Sequence, residues 1–252
     1  MKTMATLLLA VLATGIPVQA QEINTEHSVL TTLLTTYVQK GRVDYAELKK
    51  NRQDLDNYLK DLSTVKEAPF RAWQKNERLA FLINLYNAET LQLIIDHYPV
   101  KSIKDIGGFI KGPWKQPVVA LFGKTITLNT LEHKIIRKQF NEPRIHAALV
   151  CAAKGCPPLR SEAYVGAHLD EQLTDQMRAF LANASQNRVV RATGKVHLSK
   201  IFKWYGKDFT KNGKTLLRAL APYWPQHATT QLQSRKNWSI TYTDYDWALN
   251  ER

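Results

Sequence analysis

The sequence is poor in sulfur, with two cysteines and three methionines in 252 residues. Two cysteines are too few for a disulfide scaffold, so an apolar core has to hold the fold. Beyond the first twenty residues there is no run of about 18 apolar residues, which excludes a multi-span membrane protein. Neither Cys-x-x-Cys nor His-Glu-x-x-His occurs, and the seven histidines are scattered, so no metal centre is expected. No glycine-rich phosphate loop follows a strand, so no nucleotide or other cofactor is expected. Gly-x-Ser-x-Gly is also missing, which disfavours a serine hydrolase of the α/β type. Internal repeats and low-complexity linkers are absent as well.

What is present describes a folded chain with a basic surplus. Hydrophobic residues make up 44%, charged residues 23% and aromatics 10%, a composition that disfavours disorder. The formal net charge is +13, which opens the surface to anionic partners. Met1 to Ala20 reads as a secretory signal: Lys2, an apolar stretch from Ala5 to Ala13, and a cleavage site at Val18-Gln19-Ala20. The stretch is too short to span a bilayer. The expectation is a mature domain over 21–252, periplasmic or secreted, where a disulfide can persist. That address makes nucleic acid an unexpected partner. From Arg188 to Lys236 there are eleven Lys or Arg and one acid, Asp208. This segment is either a solvated face or a surface for an anionic partner.

The periodicity predicts an α+β fold, helical in its N-terminal part and packed on a largely antiparallel sheet. Val29, Leu30, Leu33, Leu34, Tyr37 and Val38 form one helical face, ended by Gly41. A second helix is expected after Asp44, with Leu48, Leu55, Tyr58, Leu59 and Leu62 on its apolar side. Asn76 to Tyr98 is the strongest helix, closed by Pro99 and apolar on more than one face, hence central. Val118–Phe122 and Thr125–Leu128 form a hairpin with Gly123 first in the turn. Asn129 or Thr130 is expected to cap a short helix carrying Glu132 and His133. Arg144 to Cys151 reads as a buried strand, and Leu169 to Leu181 as helix. A second hairpin spans Arg188–Leu198. Ser199 caps a helix through Trp204, and Trp238–Tyr242 is a late strand.

The densest polar cluster runs from Arg144 to Arg160 and includes His146, Cys151, Lys154 and Cys156. This stretch resembles the DUF547 family, together with Phe81-Leu82-Ile83-Asn84-Leu85-Tyr86-Asn87-Ala88, Leu131-Glu132-His133 and Ile201-Phe202-Lys203-Trp204-Tyr205. The family's name carries no assigned activity. The resemblance implies a fold similar to papain-like or transglutaminase-like cysteine hydrolases.

The residues themselves support three readings of the site. A thiol hydrolase needs a thiolate, a base, an orienting group and donors for an oxyanion. Cys151 would be the nucleophile, entering a loop of small residues, with His146 or His133 as base. Glu132, Asn84 and Asn87 are candidate orienting or supporting groups; Arg144 and Arg160 either bind an anion or brace the loop. If the segment is a strand, alternation puts His146 and Cys151 on opposite faces unless the strand ends first. Glu132 and His133 diverge by about 100° on a regular helix, which argues against their pairing. The substrate would be an amide bond of an envelope protein, a peptide or cell-wall material. In the second reading Cys151 and Cys156 form a disulfide, and the protein is a non-catalytic binding module with a hydrolase-like pocket. A third class, a redox protein cycling the two cysteines, is set by the same pair.

Overall fold

The computed structural model describes residues 24–108, 111–234 and 236–252, so the expected signal segment lies outside the described residues. Its organising element is the helix Lys75–His97, in which nearly every side chain from Leu79 to Ile95 is buried. A reciprocal cap opens it, the Gln74 N–H donating to Glu77 Oε2 at 2.8 Å. Extended backbone at Tyr98, imposed by Pro99, ends it.

Four earlier helices pack around this one. They are α1 Ser28–Tyr37, α2 Tyr45–Lys50, α3 Gln53–Ser63 and α4 Glu67–Ala72; the central helix is α5. The single helix expected after Asp44 is therefore two. Asn51 leaves helical geometry, and its side chain bonds back to the Glu47 carbonyl at 3.1 Å and the Glu47 carboxylate at 2.7 Å. Such local bonds compete with helix continuation. Between α1 and α2 a short hairpin, β1 Val38–Gln39 and β2 Arg42–Val43, turns at Lys40-Gly41, both with positive φ.

The hairpin β3 Pro117–Leu121 and β4 Lys124–Thr127 forms as expected, but its turn is Phe122-Gly123. Both residues have positive φ, +53° and +72°, so glycine takes the second place of the turn, not the first. The cap of the next helix is Thr127, not Asn129 or Thr130, with its Oγ1 accepting the Thr130 N–H at 3.0 Å. Helix α6 Leu128–Thr130 then widens into a π-turn at Leu131–Ile136 and closes as α7 Arg137–Gln139.

Arg144 to Cys151 is not a strand. Ile145–Ala148 forms one helical turn, α8, followed by extended backbone at Leu149. A short apolar run does not distinguish a buried strand from a buried helical turn. The partner a strand would need is supplied by a side chain. Asn87 donates to the Ala148 carbonyl at 2.9 Å and accepts from the Val150 N–H at 3.0 Å.

Helix α9 Leu169–Ala182 follows, then β5 Arg188–Val190 and β6 Lys195–Leu198. Ser199 caps α10 Lys200–Phe209, which runs beyond Trp204. After α11 Leu216–Leu220 and α12 Gln226–Gln233, β7 Ser239–Tyr242 pairs parallel with β6. The class is α+β, with 55% helix and 12% strand. The strands form small separate sheets, antiparallel except for β6–β7.

The apolar residues form two cores. The larger one surrounds α5; the smaller packs α9, β6 and α10 through Met177, Phe180, Leu198 and Phe202. Helix α8 lies at their seam, giving Ile145 and Ala148 to the first core and Ala147 to the second.

Candidate functional site

The seam positions the polar cluster. Asn87 fixes the backbone just before Cys151, and Ala152 just after it has φ +57°. A left-handed alanine is uncommon and costs of order 1 kcal/mol, so the surrounding contacts hold this loop in place. Those contacts come from the far end of the sequence. The Lys154 N–H donates to the Ala248 carbonyl and the Gly155 N–H to the Asp246 carbonyl, both at 2.8 Å. A Cβ on Gly155 would lie 2.9 Å from the Asp246 nitrogen and 3.0 Å from the Tyr245 ring, so the two segments meet as closely as backbones allow.

Cys151 and Cys156 are joined in a disulfide, with Cα atoms 6.3 Å apart. The Tyr245 hydroxyl is 3.0 Å from Cys151 Sγ and 3.2 Å from Cys156 Sγ, and the Cys151 N–H points at Cys156 Sγ at 3.0 Å. Both sulfurs face a narrow slot of about 80 Å³. Glu132, His146 and Tyr205 line its polar side; Trp114, Trp204 and Trp247 line its apolar side. For scale, a cavity of about 150 Å³ holds benzene, so the slot is smaller than a benzene site. Trp204 at its mouth is 46% exposed.

His146 is buried and stacks on Tyr205 with ring centroids 3.9 Å apart. Its Nε2–H donates to Asp208 Oδ2 at 2.8 Å, which leaves the lone pair on Nδ1. Burial lowers its pKa, so the ring is a neutral base near pH 7. Asp208 also pairs with Arg137 at 2.8 Å. The His146 hydrogen bond, with help from Arg137, holds its carboxyl well below the usual carboxylate range. Glu132 accepts from the Tyr86 hydroxyl at 3.2 Å and from Tyr205.

The other sequence candidates brace the site from outside the slot. His133 turns away: its Nδ1 is 3.0 Å from Arg137 Nη1 and does not line the slot. It nonetheless lies 3.6 Å from Glu132, closer than a regular helix predicts, because the π-turn alters the angle between neighbours. Asn84 clamps Tyr164, donating to its carbonyl at 2.7 Å and accepting from its N–H at 2.9 Å. Arg144 bridges Glu142 and Asp170. Arg160 bonds Glu162 and the Gln172 carbonyl. Among the described residues no group of three or more His, Cys, Asp or Glu is arranged to hold a metal.

Sequence reasoning missed Asp208, Tyr245 and Trp247. One signal for Asp208 was available, since it is the lone acid in the basic segment. Tyr245 and Trp247 lie in a short C-terminal stretch with no periodicity to mark it.

A family model described as "Protein of unknown function, DUF547" matches residues 70–181, so this part of the chain is similar to that family. The span includes α5, the π-turn, His146 and both cysteines; Tyr205, Asp208, Tyr245 and Trp247 lie beyond it. No curated protein and no solved structure matches the chain.

Proposed function

We propose that the chain is a thiol hydrolase or transferase acting on amide bonds of an envelope protein, peptide or cell-wall substrate. Cys151 is its nucleophile and His146 its base. The observation that carries this reading is the opening of one slot onto Cys151 and onto a neutral His146 oriented by Asp208. The disulfide must first be reduced by a thiol. His146 Nδ1 then takes the Cys151 proton, and the thiolate adds to the substrate carbonyl. The C–N bond breaks, the imidazolium protonates the leaving amine, and water or a second acceptor cleaves the thioester. Tyr245, already at the sulfur, donates a hydrogen bond to the thiolate. The disulfide also supports the expected oxidising location. Lys203 and Lys207 lie on successive turns of α10, within the basic segment Arg188 to Lys236, and favour an anionic partner surface.

The test is alkylation by iodoacetamide against pH on reduced protein, together with p-nitrophenyl acetate as an acyl donor. The expected result is a thiol titrating well below about 8.5. That phase should vanish in Cys151→Ser and move up in His146→Ala, and a one-equivalent acyl burst should be lost in both variants. An ordinary Cys151 titration with no burst overturns the reading.

The disulfide specifically favours the second reading, a binding module that keeps the slot without catalysis. A quantitative bridge that survives physiological thiols in folded protein would select it.

A further inference from the structure

The loop carrying the disulfide is a wall with two sides. The extended segment from Asp244 to Trp247 alternates: Tyr245 and Trp247 face the aromatic slot, while Asp244 and Asp246 face a second, larger cleft of about 460 Å³. Lys40 and Arg42 enter that cleft from the turn of the β1–β2 hairpin, and Lys154 enters from the cysteine loop. None of these three cations has an ion pair among the described residues. Of the two acids, Asp244 is paired with Lys200 at 3.0 Å, and Asp246 accepts the Ala248 N–H at 2.9 Å. The cleft therefore keeps a positive surplus. Its volume falls within the usual range for small-molecule sites, about 300–1,000 Å³.

Cys156 lines both cavities, whereas Cys151 lines only the slot. Cys156 is therefore the half of the bridge that borders the cleft. Exchange at a disulfide requires the attacking sulfur to approach in line with the bond it breaks. A thiolate held in the cleft meets Cys156 first and has Cys151 as its leaving group.

We propose that the basic cleft is a binding site for a small anionic thiol, a carboxylate-bearing thiol of peptide size or less, that opens the disulfide at Cys156. The thiolate attacks Cys156 Sγ, forming a mixed disulfide there. The Cys151–Cys156 bond breaks, and its electron pair leaves with Cys151 as a thiolate into the slot. Tyr245 donates to that thiolate from its present position. A second thiol molecule attacks the mixed disulfide and leaves with the first as their own disulfide, so two thiols are oxidised for one bridge reduced. The site extends the thiol reading by naming what releases Cys151, but it stands without the hydrolase, since a non-catalytic module would have the same two-sided wall.

The experiment measures the rate of reduction of the native protein by three thiols of similar size and different charge. These are 3-mercaptopropionate, 2-mercaptoethanol and cysteamine, each corrected for its thiolate fraction. At low salt the anionic thiol should outrun the cationic one on the order of tenfold, and the ratio should collapse in high salt. Arg42→Ala combined with Lys154→Ala should bring it close to one, while circular dichroism confirms the fold. Rapid quenching with iodoacetamide and peptide mapping should place the thiol adduct on Cys156 and the alkyl group on Cys151. Equal corrected rates for the three thiols, or an adduct on Cys151, would overturn the proposal. Charge-selective opening with an unreactive Cys151 would keep it and sink only the hydrolase.

Discussion

The two cores are built differently. The first wraps a long helix in mainly aliphatic side chains with one ring cluster at Phe70, Trp73, Phe81 and Phe122, and tolerates buried ionisable groups at its margin, His27 and Glu89. The second is smaller and relies on rings: Phe180 stacks on Phe202 with centroids 5.4 Å apart, and Phe202 meets Phe209 at 5.5 Å. Neither core covers the seam, and the candidate site occupies it. Polar side chains collect there because each core presents an edge that the other only partly closes. His146 shows the result, with a ring packed against Tyr205 from the second core's side and a slot opening on the first core's Tyr86.

The strongest way to break the comparison is to empty each core in turn. Phe81→Ala and Phe202→Ala should each cost about 3–5 kcal/mol. Since α8 inserts into both cores, each variant should lower the midpoint of one shared thermal transition. Two resolved transitions in calorimetry would show that the cores are independent units.

The next largest effect is at the seam. Asp208→Ala leaves Arg137 without its counter-charge and the His146 Nε2–H without its acceptor, and should cost about 2–3 kcal/mol in urea unfolding near pH 7. The pH dependence has a defined sign. The folded pKa of Asp208 is lowered, chiefly by the His146 hydrogen bond, so its contribution is present above the unfolded value and fades as pH falls below it. Wild type and variant should therefore converge toward pH 2. A constant gap would remove the charge argument.

Within the first core two titrations oppose each other. Burial pushes His27 down to about 4, so the unfolded chain takes up a proton first as pH drops, and stability falls from pH 6.5 to 4. Burial pushes Glu89 up to about 7, so stability falls instead as pH rises from 4.5 to 7. Each slope is worth about 3 kcal/mol, and in the wild type they offset one another. Glu89→Gln should expose a stability that rises with pH, and His27→Gln one that falls. Parallel profiles in the two variants would contradict both assignments.

The smallest effect sharpens the local account. Thr127→Ala removes the cap that starts the helix leading to Glu132 and should cost about 1 kcal/mol. A loss below about 0.3 kcal/mol in denaturant titration would place the start of that helix under tertiary control instead.

Much of this architecture was legible because it is written in local chemistry. The period of α5, the Pro99 stop, the Ser199 cap and the glycine turns act over a few residues. The largest error has a different cause. The strand expected at Arg144–Cys151 became a helical turn because Asn87, more than 50 positions earlier, takes the backbone bonds a neighbouring strand would take. The cysteine loop was legible as a site by its composition. Its aromatic and acidic partners were not, because Asp208, Tyr245 and Trp247 reach it only through the fold. The bridged state of the cysteines was left open by spacing, and the structure joins them.

The wall behind the disulfide has a consequence for the order of folding. Its outer segment is tied to the β1–β2 region by contacts that span most of the sequence. The Tyr45 hydroxyl meets Asn250 across 205 positions, Arg252 meets Asp44 across 208, and Asn250 meets the Gly41 carbonyl across 209. Such closures recover their entropy cost only once the intervening chain has become compact, so they come late. The local helices and both cores can form before any of these ties. Until they form, Tyr245 is away from the sulfurs and Gly155 is unpaired, and the cysteine pair is open to solvent and to any oxidant in it. The aromatic slot is then the last feature the chain acquires and the first it gives up. Amide exchange at Lys154 and Gly155 should therefore run ahead of exchange in α5.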